Sequence, residues 1–447
     1  MTTYPVGLAV ISRRRIAEGT KKQIPERLLA KLWKERAARQ TGLRTEAGQR
    51  VRVVYPGRSS AAAGPDFRDA LLEVEGLGLV RGDVELHIRQ SDWDSHGHGG
   101  DPNYNGVVVH GALEVDSEET QSQSGSRAPV VDLTSLLAEG SAEEAPDREP
   151  LLDLWRILAR SGFPRPGSAE EAEEILDRAG DQRFQIKSKW LSECIRADGP
   201  DQVLYEALME GLGYSSNRRP FVELASRAPY QAVTQAAGQL RPGERFGAIR
   251  GWLGACSGLG QPGSPCPPGL RTPKNIGPAM NRPKGFGPAM NYEEWRLFRV
   301  RPANHPRRRI VGAATLLERF LEVGLAAGLG EVAARAFAGK GVRPARLTEA
   351  LCAPSPRGPA FIGPGRAKDL AVNAVLPFMQ AWGEVSGQGP GPDVAAALYH
   401  RFPLLTDNEI IREMTVQLLP ARWRGTVANA RRQQGLLHLA ALLNGSH

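Results

Sequence analysis

The stretch DALLEVEGLGLVRGDVELHI, residues 69–88, predicts the structural element on which the rest of the N-terminal half is built. Apolar and polar residues alternate on both sides of Gly76-Leu77-Gly78. A period of two indicates strands, and a short glycine-containing connection between two such runs is typical of a β-hairpin. The second strand has an apolar face of Val84, Leu86 and Ile88 and a polar face of Asp83, Glu85 and His87. We expect the apolar face to enter the core and the polar face to line a cleft or meet solvent.

Neighbouring segments extend this hairpin into a domain. PERLLAKLWKERAARQ (25–40) has apolar residues at helical spacing, whereas QRVRVVYPG (49–57) and NGVVVHGALEV (105–115) have the character of strands. One helix followed by several strands predicts an α+β domain over residues 23–137, with a mixed or antiparallel sheet. Residues 1–22 are predicted to be a flexible basic N-terminus.

The C-terminal part has a different pattern. Residues 138–150 are acidic and polar and predict a linker, and residues 151–447 predict a mainly helical domain. The helical periodicity is clearest in LLDLWRILARSG, SAEEAEEILDRAG, QVLYEALMEGLGY, ATLLERFLEVGLAAGL, EIIREMTVQLL and RRQQGLLHLAALL. A Pro/Gly-rich segment with a near-repeat, residues 256–291, predicts a flexible loop that interrupts this domain.

Composition excludes several classes of protein. No apolar run in the 447 residues approaches the length of a membrane span, and the basic cluster at the N-terminus follows an apolar patch, the reverse of a secretory signal. We therefore expect a cytoplasmic protein with no membrane partner. The cysteines have neither CxxC nor zinc-ribbon spacing and predict thiols in a reducing compartment: Cys194, Cys256, Cys266 and Cys352.

Charge is distributed unevenly along the chain. Residues 1–60 contain 14 Lys and Arg against 4 Asp and Glu, whereas residues 61–150 contain 5 against 19. The remainder is basic again. An acidic segment between two basic ones suits a metal-dependent enzyme that acts on a polyanion, and it is equally compatible with ordinary solvated surfaces.

Two carboxylates of the hairpin predict a metal site. Asp66 lies at the start of the first strand, so it can fold back beside Glu85 on the second. Carboxylates from adjacent strands and a backbone carbonyl are hard oxygen ligands, which Mg²⁺ or Mn²⁺ prefers. His87, two residues after Glu85, would contact a metal-bound water or a phosphate. No organic cofactor is predicted.

Pro65-Asp66 followed by Glu85-Leu86-His87 resembles the motif of the PD-(D/E)XK nuclease superfamily. The order of helix, strand and hairpin is similar to the restriction-endonuclease-like core. The resemblance implies that Asp66, Glu85 and the Leu86 carbonyl hold the metal ion and that these carboxylates and His87 are catalytic. His87 stands where that superfamily has a lysine, and an imidazole is only partly charged near neutral pH.

Histidines after the hairpin allow a second site. His96 and His98, with Asp101 and His110, are residue types that bind Zn²⁺, Mn²⁺ or Fe²⁺, although their spacing matches no common zinc motif. The alternative is that they only hydrogen-bond a glycine-rich loop and fix its path. Trp93 and Tyr104 flank this loop, and we expect them to anchor it.

Many stretches together resemble an uncharacterised prokaryotic family, the domain of unknown function 2851. They include PERLLAKLW, GPDFRDA, GDVELH, DWDSHGH, YNGVVVH, LGYSSNRRPFVELA, RVRPANHPRRRI, NAVLPF and RQQGLLHLA. The resemblance implies no activity, because this family has no assigned biochemistry.

The segment RVRPANHPRRRI, residues 299–310, predicts a phosphate-binding surface. Arginine side chains suit phosphate oxygens. The candidate nucleic-acid-binding residues are Arg299, Arg301, Arg307, Arg308 and Arg309. The same arginines would serve equally well to pair with the acidic segment 61–150 and dock the two domains.

These features support three functional hypotheses. The first is a metal-dependent phosphodiesterase, a nuclease acting on DNA or RNA. The second is a hydrolase with a histidine-ligated zinc, iron or manganese ion. The third is a non-enzymatic nucleic-acid-binding or scaffold protein whose polar cluster is structural. The sequence predicts no oligomeric state.

Overall fold

A computed structural model of the chain describes residues 25–40, 42–59, 64–117, 119–137, 151–214, 217–259, 283–297, 300–338 and 341–443. The predicted N-terminal arm, 1–22, the predicted linker, 138–150, and Arg299 lie outside the described residues. The centre of the predicted Pro/Gly-rich loop, 260–282, lies outside them as well.

A mixed six-stranded sheet forms the N-terminal half, so the predicted α+β class is confirmed. Its strands follow helix α1 (Glu26–Arg36) and are β1 (Val51–Tyr55), β2 (Arg58–Ser59), β3 (Phe67–Val74), β4 (Gly78–Arg89), β5 (Val107–Glu114) and β6 (Val130–Asp132). The order across the sheet is β1-β3-β4-β5-β6, with β2 paired to β3. The hairpin β3–β4 is antiparallel, as the alternation around Gly76-Leu77-Gly78 predicts.

Strands β4 and β5 are parallel, which decides where the following loop runs. A parallel pair cannot be joined by a tight turn, because the chain must return from the end of one strand to the start of the next. Residues 90–106 make this return and include the short helix α2 (Asp92–Ser95) and the 3₁₀ turns His98–Gly100 and Pro102–Tyr104. We call residues 90–106 the crossover loop.

The apolar core of this half lies on one face of the sheet. Leu29 and Trp33 of α1 pack there against strand residues that include Phe67, Val84 and Leu86. The Trp33 indole also donates a hydrogen bond to the Pro56 carbonyl at 2.9 Å. The opposite face of the sheet is therefore left to the crossover loop.

The helical half is larger and has its own apolar core. Its helices are α3 (Leu151–Arg160), α4 (Ala169–Asp198), α5 (Pro200–Leu212), α6 (Arg218–Arg227), α7 (Tyr230–Gly238), α8 (Pro242–Cys256), α9 (Pro306–Arg319), α10 (Leu325–Phe337), α11 (Ala345–Leu351), α12 (Pro364–Leu370), α13 (Leu376–Ser386), α14 (Pro392–His400), α15 (Glu409–Leu418) and α16 (Ala430–Leu443). A π-helical turn, Ala371–Val375, joins α12 to α13.

One prediction about this half needs correction. The continuous pattern of residues 314–329 is two helices, because α9 ends at Arg319 and Gly324, at φ 88°, begins the next one. The described ends of the Pro/Gly-rich segment contact each other, since the Met290 N–H donates to the Cys256 carbonyl at 2.7 Å and Met290 is buried, and the flexible loop between them stays a prediction. Within the described residues Cys194, Cys256 and Cys352 are thiols.

The chain divides into two compact units. The first comprises the residues up to Gly167 together with Arg412–Arg422 and the chain from Leu439, and the second comprises Ser168–Ile411 and Trp423–His438. This differs from the predicted limits because α3 joins the first unit, where the Trp155 indole donates to the Leu418 carbonyl at 3.1 Å. None of the described helices has the length and apolar character needed to cross a bilayer.

Candidate metal centre

The polar face of β4 is buried beneath the crossover loop. Glu85 is 6 % exposed and His87 is 1 % exposed, although both point away from the apolar core that receives Val84 and Leu86. The parallel register sets His110 of β5 beside Glu85. Ionisable side chains are rarely buried without partners, because desolvation opposes their charged forms. Their partners define the site.

Asp66 and Glu85 hold each other in place, as the sequence predicts. The Asp66 N–H donates to Glu85 Oε2 at 2.8 Å, and the Leu86 N–H donates to Asp66 Oδ2 at 3.2 Å. Burial raises the pKa of Asp66 to about 6. Burial and the charge of Asp66 raise the pKa of Glu85 to about 8. Two carboxylates in this position resist ionising together unless a cation joins them. Leu86, whose carbonyl is the predicted third ligand, has its side chain in the core.

Three histidines converge at one point, and Glu85 contacts two of them. His96 Nδ1 lies 3.2 Å from His87 Nε2, and His98 Nε2 lies 3.4 Å from Glu85 Oε1. Glu85 Oε1 is also 3.7 Å from His87 Nε2. One nitrogen from each of the three imidazoles lies within 4.8 Å of the other two. His87 is buried, His98 is half-buried and His96 is exposed, so the group extends from the sheet to the surface.

His110 stands behind His87 and completes a hydrogen-bonded chain. Its Nε2 lies 2.9 Å from His87 Nδ1, and its Nδ1 lies 2.8 Å from Thr120 Oγ1. A neutral imidazole donates from one nitrogen and accepts at the other. If His87 Nδ1 donates to His110 and His110 Nδ1 donates to Thr120, the His87 Nε2 lone pair faces His96, His98 and Glu85. Such outer partners fix the tautomer of a metal-binding histidine.

Burial favours the neutral forms of His87, His98 and His110. Burial, and then the charges of His110, His98 and His96, lowers the pKa of His87 to about 2. The pKa of His110 is lowered to about 4 by burial and by His98, and that of His98 is lowered by burial and by His96. Neutral imidazole is the form that binds a metal ion. His87 and His98 are therefore ready to bind a metal ion without first losing protons at neutral pH.

Aromatic side chains hold the crossover loop over the sheet, as the sequence predicts for Trp93 and Tyr104. Tyr104 stacks on His98 with ring centroids 3.9 Å apart, and Trp93 meets the edge of His98 at 5.5 Å. The Trp93 indole donates to the Gln121 carbonyl at 3.0 Å. Gly97, between the two loop histidines, has a φ of 75°, which a residue with a Cβ adopts only at a cost.

The structure divides the predicted histidine site differently. His96 and His98 join His87 rather than Asp101, because Asp101 caps the 3₁₀ turn by accepting from the Asn103 N–H at 2.9 Å. His110 lies behind His87, to which it is hydrogen-bonded. Thr120, which is 2 % exposed, was not predicted, since a single threonine in a Ser/Gln-rich loop carries no sequence signal. The two predicted sites adjoin each other, since His98 contacts Glu85 and His96 contacts His87.

The predicted arginine surface lies elsewhere, in the second unit. Arg309 is 4 % exposed and donates to Tyr214 Oη at 2.7 Å and to Asn304 Oδ1 at 2.8 Å. Arg307 donates to the Leu259 carbonyl and Arg308 to the Pro359 carbonyl. Of the predicted residues that the structure describes, Arg301 is exposed. The partners of Arg307, Arg308 and Arg309 named here all belong to the second unit.

Residues 26–246 match the model of the family described as "Protein of unknown function (DUF2851)". The predicted resemblance to that family is confirmed over this range, which includes the whole metal centre. No curated protein and no solved structure matches the chain. The likeness to the PD-(D/E)XK nucleases stays a prediction.

Proposed function

We propose that the first unit is a metal-dependent hydrolase in which His87, His96 and His98 hold a transition-metal ion such as Zn²⁺, Mn²⁺ or Fe²⁺. The observation that supports this most is the convergence of their nitrogens, which lie within 4.8 Å of one another, with Glu85 Oε1 close to those of His87 and His98. Metal–imidazole bonds are about 2.0–2.1 Å long, so small rotations of the three side chains would bring their nitrogens within bonding distance of one ion. Imidazole nitrogens with one carboxylate suit zinc, iron or manganese better than magnesium.

The residues around the three histidines also have roles in this proposal. Glu85 is the fourth ligand, and His110 orients His87 through its 2.9 Å hydrogen bond. Asp66 lies beside Glu85 and is the proton acceptor for the attacking water. When bound, the ion lowers the pKa of a water molecule and stabilises negative charge on the substrate.

Tyr104 is the proposed hydrogen-bond donor to the substrate. Burial and the charges of Glu85, Asp101 and Asp66 raise its pKa to about 12, so its hydroxyl stays protonated at neutral pH. The Tyr104 ring lies against His98, which places Tyr104 at the edge of the proposed metal site.

The proposed substrate class is a phosphodiester of nucleic acid. Arg68, two residues after Asp66, pairs with Asp83 at 3.6 Å, but its side chain is 40 % exposed and its charge acts on Tyr104. Guanidinium groups suit phosphate oxygens. The basic sequence before residue 60 agrees with an anionic partner.

A second candidate is the predicted Mg²⁺- or Mn²⁺-dependent nuclease with Asp66, Glu85 and the Leu86 carbonyl as ligands. It is supported by the hydrogen bonds from the Asp66 N–H to Glu85 Oε2 and from the Leu86 N–H to Asp66 Oδ2, which bring the two carboxylates together. The two candidates differ in whether His96 and His98 bind the metal ion.

Metal analysis of the full-length protein purified without chelators tests the proposal. We expect about one tightly bound transition-metal ion per chain and metal-dependent cleavage of bis(4-nitrophenyl) phosphate or of single- or double-stranded DNA or RNA. Replacing both His96 and His98 by alanine should weaken metal binding by more than about 100-fold, because these residues are direct ligands and loss of an outer partner alone costs about 10- to 100-fold.

His400→Ala is the matched control, since this histidine pairs with Asp181 in the second unit. Activity that needs weakly held Mg²⁺, survives loss of His96 and His98 and disappears in Asp66→Asn would establish the second candidate instead. A protein that binds no metal and cleaves none of these substrates would overturn both and leave the cluster a structural one.

A further inference from the structure

The two carboxylate oxygens of Glu85 face different neighbours. Oε1 lies 3.7 Å from His87 Nε2 and 3.4 Å from His98 Nε2, on the side of the three histidines. Oε2 accepts from the Asp66 N–H at 2.8 Å, on the side of β3. The residue is 6 % exposed, so its surroundings fix this orientation. A carboxylate held in this way can offer one oxygen to each of two positions.

The Leu86 carbonyl lies on the same side of β4 as Asp66. The Leu86 N–H donates to Asp66 Oδ2 at 3.2 Å rather than to a backbone carbonyl of β3. The N–H and the carbonyl of one residue leave a strand at the same edge, so this carbonyl is directed toward Asp66 as well. Continued by two residues, the register that pairs Phe67 with Val84 sets Pro65 opposite Leu86. Because proline has no N–H, the carbonyl oxygen is left without the donor that a β ladder would otherwise supply.

The two carboxylates lack a permanently charged partner. Within the residues that the structure describes, no lysine or arginine nitrogen lies within 4 Å of Asp66 or Glu85, and the ion-pair contacts of Glu85 are with His87 and His98. Burial raises the pKa of both carboxyl groups, and the negative charges around them, that of Glu26 included, raise it further. An ion at the histidines would contact Oε1 and leave Asp66 without a cation. Buried carboxylates ionise more readily when a cation binds them.

The two sides of Glu85 offer different kinds of donor atom. On one side, three imidazole nitrogens lie within 4.8 Å of one another. On the other side the donors are all oxygens, namely Glu85 Oε2, the Asp66 carboxylate and the Leu86 carbonyl. Imidazole suits zinc or iron, whereas carboxylate and carbonyl oxygens suit Mg²⁺ or Mn²⁺. The two positions therefore favour different cations.

We propose that Glu85 bridges two metal ions, a transition-metal ion at the three histidines and a hard divalent cation, Mg²⁺ or Mn²⁺, at Asp66 and the Leu86 carbonyl. This inference rests on the proposed function, because it takes the histidine-bound ion as its first member. It goes further, because the two positions are filled together rather than as alternatives. Paired metal ions in phosphodiesterases lie about 3.5–4 Å apart and hold the attacking and leaving oxygens between them.

The second cation changes the role of Asp66. In the protein with one ion Asp66 accepts the proton of the attacking water, whereas with two ions it is a ligand. Water beside two cations ionises more readily than water beside one, so its proton passes to solvent. The water oxygen then bonds to phosphorus while the bond from phosphorus to the leaving oxygen breaks. The leaving oxygen takes the electron pair and then a proton from solvent.

Titration of the full-length protein with Mn²⁺, after loading with one equivalent of Zn²⁺, tests this inference. The electron paramagnetic resonance signal of free Mn²⁺ measures binding, and we expect about one Mn²⁺ per chain to bind while Zn²⁺ is retained. Asp66→Ala should weaken Mn²⁺ binding by about tenfold or more and keep Zn²⁺, which shows that the variant is folded. Asp83→Ala is the matched control, because Asp83 lies on the same face of β4 and pairs with Arg68.

A second measurement tests whether the two ions are neighbours. When paramagnetic Co²⁺ replaces Zn²⁺ at the histidines, the signal of bound Mn²⁺ should broaden strongly, because a shared carboxylate holds the two ions about 3.5–4 Å apart. Diamagnetic Zn²⁺ at the same position is the reference.

The outcomes separate this inference from the proposed function. Wild-type protein that binds Zn²⁺ and no Mn²⁺ overturns the inference and leaves the proposed function standing, and this measurement needs no variant to fold. Protein that binds neither ion, or that binds Mn²⁺ and no Zn²⁺, overturns both. Equal Mn²⁺ binding by Asp66→Ala and Asp83→Ala, or a bound Mn²⁺ signal that Co²⁺ does not change, places the second ion elsewhere and overturns the inference alone.

Discussion

Two segments are dense in side chains that bind ligands, the histidines between residues 87 and 110 and the arginines between 299 and 309. The fold uses them in opposite ways. The imidazoles of His87, His96 and His98 come together with ring nitrogens facing one another, whereas the guanidinium of Arg309 is surrounded by acceptors of its own unit. A cluster in sequence indicates a binding site only when its donor or acceptor atoms stay unused after folding. The following predictions test this difference, from the largest effect to the smallest.

Arg309→Ala should destabilise the protein by about 3 kcal/mol, because it removes hydrogen bonds from a charged donor and leaves buried acceptors without a partner. Metal content should not change. Urea unfolding measures the effect, and Arg301→Ala, at an exposed arginine, should stay within about 0.5 kcal/mol of the wild type. An Arg309 variant with normal stability would mean that this arginine is not structural.

Glu85→Gln should stabilise the metal-free protein at alkaline pH by on the order of 2 kcal/mol while it weakens metal binding. The pKa of Glu85 is about 8 in the fold against an ordinary value of 4.5. Between these values the folded state keeps a proton that the unfolded state has lost. The contribution of Glu85 to the free energy of unfolding therefore falls as the pH rises from about 4.5 to 8 and stays low above it.

Urea unfolding in the presence of a chelator, from pH 5 to 9, measures this effect as the difference between Glu85→Gln and the wild type. The difference should grow with pH. Glu73→Gln, at an exposed residue of the same hairpin, is the control. A difference independent of pH would show that Glu85 is ionised in the fold.

Thr120→Val should have the smallest effect, a loss of metal affinity of about tenfold and of stability by about 1 kcal/mol, because the buried His110 Nδ1 loses its hydrogen-bond partner. The substitution keeps the shape of the side chain but removes the hydroxyl that lies 2.8 Å from His110 Nδ1. His110 then no longer fixes the tautomer of His87. Competition with a chromogenic chelator measures the affinity, and Ser122→Ala, in the same loop, is the control. Unchanged affinity would show that the Thr120–His110 pair does not act on the metal ion.

Local patterns predicted much of the candidate site. The alternation of residues 79–88 assigned Glu85 and His87 to one face and Val84 and Leu86 to the other, since this periodicity depends only on the backbone of one strand. The position of Asp66 beside Glu85 followed from the hairpin. The register there is irregular, because β3 bulges between Phe67 and Ala70 and Asp69 has a φ of 58°. No sequence pattern indicated this bulge.

Longer-range features were not predictable in the same way. The periodicity of residues 314–329 continues from one helix into the next, because the spacing of apolar residues contains no signal of the change of direction at Gly324. Residues 90–106 are long enough for either a parallel or an antiparallel return. Sequence could therefore not tell that the crossover loop would cover the polar face of β4.

The sequence by itself determined the α+β class, the hairpin and the residue types available for metal chemistry, because these depend on composition and on contacts between near neighbours along the chain. Only the tertiary structure decided that His96 and His98 meet His87 and Glu85 and that Arg309 is buried. The parallel pairing of β4 with β5 turns the crossover loop back over the sheet, and the packing of α9 turns Arg309 inward. Both outcomes depend on contacts between distant segments, whose free energy no local pattern contains.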